Sequence, residues 1–334
     1  MIEKVPQKNR VLQVGRPLKF LANWRSLPLY ELMSYVLMFA SVPMLAYGIH
    51  PYKYELIRLI VLTILTLYSG FFAALIWNDI TDSDIDAIAH PNRPLPSGRI
   101  ERKRFFQVAL IFSVLTFVFA FAISMVCFVL TGIAALFVFF HNKYFKRRIR
   151  FPAYSEIFNP LQWVVVVIFG FCALWTVLPQ STDVVITAPI LGTVSTSYLG
   201  ILQMILLGCF TYFADTAHDI AEGVHDADAD CRYGVQTYAT TLGKKKTMTL
   251  SFIMFGISVF CGMVLFLLSI LSLIFFILFS LVVTYTFFSA ILHIPSKTEN
   301  IEEYGACVGR RFYDYFLLTY DIVFIDILIQ ILVL

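Results

Sequence analysis

The residues able to do chemistry lie in two short acidic stretches. The first, Trp77-Asn78-Asp79-Ile80-Thr81-Asp82-Ser83-Asp84-Ile85-Asp86, follows a long apolar run and holds four aspartates within eight residues. Charge at the end of an apolar, membrane-crossing helix is costly and usually functional. If the helix runs through them, Asn78, Asp82 and Asp86 stand at i, i+4 and i+8 and form one stripe of oxygen-bearing side chains. Such a stripe suits a hard divalent cation, which binds carboxylate, water and phosphate oxygens. A solvated acidic loop between two spans has the same composition. The second stretch runs from Asp215 to Asp230 and also follows an apolar run. At ~100° per residue, Asp215, Asp219, Asp226 and Asp230 fall within an arc of about 60°, provided Gly223 does not break the helix. Two such clusters facing each other would repel unless cations lay between them.

These stretches carry a family resemblance. The first matches the NDxxDxxxD pattern of the UbiA superfamily of intramembrane prenyltransferases, and His90-Pro91-Asn92-Arg93-Pro94-Leu95-Pro96-Ser97-Gly98 resembles the loop that follows it there. The second resembles that family's second motif, with Asp219, Asp226 seven residues on and Asp230 four further. Tyr233-Gly234-Val235-Gln236-Thr237 and Leu242-Gly243-Lys244-Lys245 also look familial.

The resemblance implies an all-α, polytopic membrane protein with nine transmembrane helices around a central cavity. It implies Mg2+-dependent transfer of a prenyl group from an isoprenoid diphosphate to an acceptor, aromatic or lipid-like, inside the membrane. The implied metal ligands are Asn78, Asp79, Asp82, Asp86, Asp219, Asp226 and Asp230, with Asp82 and Asp226 essential to catalysis. Asn78, Arg93, Lys146, Arg147 and Tyr212 are the implied donor-binding residues. Tyr144-Phe145-Lys146-Arg147 resembles a basic stretch that the family uses near the diphosphate, although a run from Lys143 to Arg150 also anchors a loop to a membrane surface. Family members acting on small aromatic acids often carry Arg-Pro at the start of the first span; here Arg16-Pro17 stands too early, which speaks against a hydroxybenzoate acceptor. The superfamily also holds intramembrane terpene cyclases, which need the same metal site and no acceptor.

The elements that must position these groups are legible in the composition. The chain has 334 residues, 59% hydrophobic and 14% charged, with a mean hydropathy of +0.79. That is a membrane protein, not a soluble globule, and a net charge of +3 gives no reason to invoke nucleic acid. Six cysteines without CxxC spacing suggest neither a disulfide framework nor a zinc site. Residues 1–29, polar and basic, read as an interfacial segment rather than a signal peptide, and residues 30–334 as one membrane domain. Spans are expected near 29–49, 55–77, 159–178, 196–214, 248–269, 271–292 and 312–334. The 36-residue run from Phe105 to Phe140 is too long for one crossing, which takes ~20 residues, so it reads as two spans folded back near Ser124. Crossing nine times from a cytoplasmic N-terminus puts 23 of the 25 lysines and arginines on one side, leaving only Lys53 and Arg58 elsewhere. So strong a bias supports nine spans and places both acidic stretches on the cytoplasmic face.

Trp77, Tyr212, Phe213 and Trp163 lie near the expected reacting end and are candidate cavity walls, where π faces shield a carbocation. His90, His218 and His225 lie near the motifs, but none is assigned as the base. Asp314 and Asp321, seven apart, share a face of the last span; they line the cavity or pair with Arg310 or Arg311. A transporter reading has little support, since the acids sit at span ends and no repeat relates the halves.

Overall fold

The computed structural model describes residues 28–50, 54–84, 87, 92–145, 149, 153–179, 181, 183–232, 236–295, 298 and 300–333. Residues 1–27 of the expected interfacial segment, Asp86, His90, Lys146 and Arg147 lie outside the described residues, as does the side chain of Asp230.

Among the described residues, nine helical runs are long and apolar enough to cross a membrane. Helical geometry satisfies every backbone donor and acceptor within its own segment, which the hydrocarbon core demands. The helices are α1 (Leu29–Tyr47), α2 (Tyr54–Thr81), α3 (Arg102–Ile123), α4 (Met125–Phe140), α5 (Leu161–Val177), α6 (Tyr198–Arg232), α7 (Lys244–Leu268), α8 (Leu273–Phe288) and α9 (Ile301–Val333). The long apolar run does fold back at Ser124, whose extended backbone (φ −166°, ψ 162°) separates α3 from α4. The Ser124 hydroxyl caps α4 by accepting from the Cys127 N–H at 3.2 Å, and Thr176 of α5 donates to the same oxygen at 3.1 Å.

Both acidic stretches are more helical than a loop reading allows. Helix α2 runs on to Thr81, and α6 is a single helix of 35 residues that passes through Gly223. Gly223 serves instead as a contact point: a Cβ there would lie 2.9 Å from Glu156 Oε1, in the short helix Tyr154–Phe158 that precedes α5. Residues 184–196 add a feature absent from the sequence reading. Val184–Ala188 and Gly192–Thr196 pair as an antiparallel hairpin, with β-branched residues along both strands. Its turn needs left-handed backbone at Ile190 (φ 72°) and Gly192 (φ 91°).

The ends of the helices can be matched by contacts. Arg310 near the start of α9 meets Glu31 near the start of α1 at 2.6 Å. The Tyr35 ring of α1 lies 4.7 Å from Phe71 in the second half of α2 and 5.5 Å from Trp163 at the start of α5. His218 of α6 bonds the Gly309 carbonyl of α9 at 3.0 Å. The two acidic stretches therefore lie at the same end of the bundle. At the other end, Asp326 deep in α9 accepts from the Ser272 N–H at 2.9 Å and the Phe275 N–H at 3.2 Å, and so caps α8.

Helices α6 and α9 cross closely because α9 carries glycines one turn apart. A Cβ on Gly305 would lie 2.7 Å from the Ala221 carbonyl oxygen and 2.9 Å from Val224 Cβ. Gly305→Val is expected to force the helices apart and lower stability by about 1–3 kcal/mol. Thermal unfolding in detergent measures it against Gly256→Ala, where a Cβ meets nothing within 4 Å and no loss is expected.

Candidate metal and diphosphate site

The first half of the site is the last turn of α2. Asp82 follows the helix, yet its N–H still donates to the Asn78 carbonyl at 2.8 Å, so helical geometry extends to it. That keeps Asn78 and Asp82 on one stripe, and Asn78 Nδ2 donates to Asp82 Oδ2 at 3.2 Å. Asp79 and Asp82 are only 2% and 4% exposed. Thr81 closes the helix by donating to the Trp77 and Asn78 carbonyls at 3.0 and 2.9 Å. Arg93 returns from the following loop to within 4.0 Å of Asp79 Oδ1. Arg102 of α3 fixes the same turn through the Ile80 carbonyl at 3.2 Å.

The second half lies on α6. Asp215 is buried, and Asp219 one turn on has Oδ2 buried with no hydrogen-bond partner. His218 holds this turn in place: Nδ1 donates to the Gly309 carbonyl at 3.0 Å, and Nε2 lies 3.3 Å from Glu222 and 3.9 Å from Asp219. Asp226 shares the arc but not the depth. Its side chain is 57% exposed and meets His225 Nδ1 at 2.9 Å. The cause is length: 35 residues at ~1.5 Å each outrun a bilayer core of ~30 Å, so the last turns of α6 stand clear of the buried end.

Rings from four helices pack together at this end of the bundle. Tyr35, Phe71 and Trp163 touch as described, and Trp163 also lies 5.7 Å from Phe316 of α9. The Tyr35 and Tyr313 hydroxyls are hydrogen-bonded, and the Tyr313 ring lies 4.7 Å from His218. Trp163 thus lies within this ring cluster. Trp77 does not: its indole N–H donates to Ser113 of α3 at 3.0 Å and its ring packs on Phe106. The Tyr212 hydroxyl is engaged elsewhere, donating to the Ile157 carbonyl at 3.1 Å. Asp314 pairs with Arg310 and Arg311 at 3.3 and 3.6 Å, and Asp321 Oδ2 accepts from Ser34 at 2.7 Å.

Sequence reasoning passed over Glu156 and Tyr35. Glu156 is buried against Gly223 and accepts from the Tyr238 N–H at 2.6 Å, tying α6 to the segment after it. Its signal was a lone acid between a basic run and an apolar one. Tyr35 carried none, being one aromatic residue among many in apolar runs.

Among the described residues, no three His, Cys, Asp or Glu side chains stand close enough together to hold a metal ion. The donor set nevertheless fits Mg2+. It consists of hard oxygens, Asp219 Oδ2 is buried and without a partner, and an open half-site leaves coordination positions for phosphate oxygens.

Comparison with known proteins agrees with this geometry. The sequence profile of the UbiA prenyltransferase family matches residues 35–302. The chain is 26% identical over 184 residues to the digeranylgeranylglyceryl phosphate synthase of Sulfolobus acidocaldarius, covering 55% of this chain and 57% of that protein. The synthase of Methanosphaera stadtmanae is 24% identical over 262 residues, covering 78% of this chain and 85% of its own. The chain thus spans little more than half the length of the first of these relatives. Two solved structures share the fold. A UbiA homologue from Aeropyrum pernix superposes with a TM-score of 0.63 at 17% identity, over 87% of this chain and 99% of its own. One from Archaeoglobus fulgidus, bound to GPP and Mg2+, gives 0.52 at 14%, over 87% and 97%. With the profile covering most of its length, this chain belongs to the UbiA prenyltransferase family.

Proposed function

We propose that the protein transfers a prenyl group from an isoprenoid diphosphate to an acceptor within the membrane, in a Mg2+-dependent reaction that releases diphosphate. The observation that supports this reading is the presence, at the same end of the bundle, of buried Asp79 and Asp82 on one helix and buried Asp215 and the unpartnered Asp219 oxygen on another. Asn78, Asp79, Asp82 and Asp86 on one side, and Asp219, Asp226 and Asp230 on the other, are the residues that would hold Mg2+. When bound, Mg2+ neutralises the diphosphate and makes it a better leaving group. Arg93, Lys146 and Arg147 add charge-assisted hydrogen bonds to the same anion.

The allylic C–O bond breaks and its electron pair leaves with the diphosphate. The allylic carbon left behind needs shielding, and the aromatic rings at this end of the bundle, Tyr35 and Trp163 among them, would exclude water and stabilise positive charge. The acceptor attacks that carbon and then loses a proton. The relatives' names speak of a glyceryl phosphate, which favours a lipid-like acceptor over an aromatic acid. The lysine and arginine bias supports a reacting end on the cytoplasmic side.

The test is diphosphate release by purified protein given prenyl diphosphates and a membrane lipid extract. Release that needs both Mg2+ and the extract, and stops with EDTA, is expected. Terpene hydrocarbon or alcohol formed without any acceptor would replace this reading with a cyclase.

A further inference from the structure

We propose that the hairpin at residues 184–196 is a membrane anchor, whose apolar turn and outer strand residues lie in the headgroup layer of the bilayer at the end of the bundle opposite the acidic stretches. It stands apart from the chemistry at the acidic end and does not depend on it.

The hairpin is not composed like a loop that meets water. From Val184 to Gly200 there is no Asp, Glu, Lys, Arg or His, and the turn between the strands reads Pro189-Ile190-Leu191. Turns in water favour Gly, Asn, Asp and Ser. Here Ile190 has left-handed backbone (φ 72°), which opposes a β-branched side chain, and it is 88% exposed. Ile186 is 62% exposed, and Val185 beside it is exposed as well.

The strand register sorts the remaining side chains. Directly opposite residues share a face, so Val184, Ile186, Val194 and Thr196 form one face and Val185, Thr187, Thr193 and Ser195 the other. The base of the hairpin meets the bundle. Val194 packs against the core, Thr196 is buried, and the Ser195 hydroxyl donates to the Ser181 carbonyl. A Cβ on Gly200 would lie 2.7 Å from Thr196 Oγ1 and 3.6 Å from the Trp175 ring, so the base fits closely between the end of α5 and the start of α6. Strands of five residues at ~3.4 Å each carry the turn ~15 Å beyond that base.

The neighbouring surface says what covers the outer part. Directly after the hairpin, Tyr198 opens α6 and is exposed, and Leu199, Leu202 and Ile205 continue the exposed apolar surface along that helix. On a membrane-crossing helix this surface is covered by lipid, and an exposed tyrosine at its start marks the headgroup level. The exposed apolar surface of the hairpin adjoins that band at the same level. Upright, the hairpin would hold Ile186 and Ile190 in water; lying along the bilayer, it places both among lipid, as interfacial segments do. No charged side chain has to be desolvated for this. The headgroup layer still supplies water to the free strand edges, which hydrocarbon would not, so the hairpin goes no deeper.

The test reads the depth of Ile190 in the full chain, reconstituted in phosphatidylcholine nanodiscs. Ile190→Cys carries an NBD fluorophore in a background where the exposed Cys231 and Cys307 are replaced by serine, and that background alone supplies the blank. Glu101→Cys, at the exposed start of α3, is the water-facing reference. Lipids with a nitroxide on the fifth acyl carbon are expected to remove at least half of the Ile190→Cys emission, and at least twice what a nitroxide on the twelfth carbon removes. Iodide should quench it at least fivefold less than the reference. If thermal unfolding shows the labelled Ile190→Cys protein to be misfolded, Ile186→Cys takes its place with the same expected result. Iodide quenching equal to the reference, with no effect of nitroxide lipids, would overturn the inference and leave the hairpin upright in water. Stronger quenching from the twelfth carbon would overturn the headgroup placement. Shielding from iodide without nitroxide quenching would also overturn it, in favour of a second copy or another protein pairing along the free strand edges.

Discussion

Asp82→Ala is expected to lower Mg2+-dependent diphosphate release by about 10²–10³-fold, the usual cost of removing one preorganised group that stabilises charge in the transition state. Asp82 is 4% exposed, lies at the end of α2, and is oriented by the Asn78 amide at 3.2 Å. A carboxylate held there cannot be replaced by water without loosening the whole half-site. The comparison is Asp84→Ala, two residues on and exposed, which should keep near-normal turnover. Asp226→Ala should also lose activity, although its exposed position leaves stability unchanged. Turnover by Asp82→Ala within a few-fold of wild type, in protein with an unaltered melting temperature, would remove this residue from the site.

Arg310→Ala is expected to cost about 1–3 kcal/mol of stability, because it leaves the buried Glu31 carboxylate without its partner, although Arg310 itself is 44% exposed and the pair is partly screened by solvent. The Glu31 side chain is 4% exposed and its Oε1 sits 2.6 Å from Arg310 Nη2. Arg310 also lies over the Tyr30 and Tyr313 rings, at 5.5 and 5.6 Å, and reaches Asp314. One cation therefore joins α1 to α9 beside the reacting end. Chemical or thermal unfolding in detergent measures the loss. Adding Glu31→Gln to Arg310→Ala should restore much of it, since no buried charge then stands alone. A loss below about 1 kcal/mol would show that the pair behaves as an ordinary surface ion pair.

The chain's one-dimensional signals carried the architecture further than the site. Apolar length, the 36-residue run and the distribution of lysine and arginine give nine spans, and the fold at Ser124 follows from run length alone. The hairpin at 184–196 was hidden because a short β-branched stretch between two spans also reads as a plain loop. At the site, spacing gave the angle of Asp215, Asp219 and Asp226 around α6 but not their depth. Depth depends on how far α6 projects past its neighbours, so Asp219 is partly buried while Asp226 meets solvent. Tertiary partners were out of reach for the same reason. Nothing local to Asp326 says that it caps α8, and nothing local to Tyr35 says that its ring joins α2, α5 and α9.

The central claim is that the ends of α2 and α6 hold one diphosphate between them. Anomalous diffraction from crystals grown with Mn2+ and a non-cleavable thiolodiphosphate analogue of geranyl diphosphate tests it most directly. The expected result is metal density bound to Asp82 on one side and Asp219 on the other, with the diphosphate bridging the two. Metal bound at one stretch alone, or a diphosphate seated away from both, would contradict it.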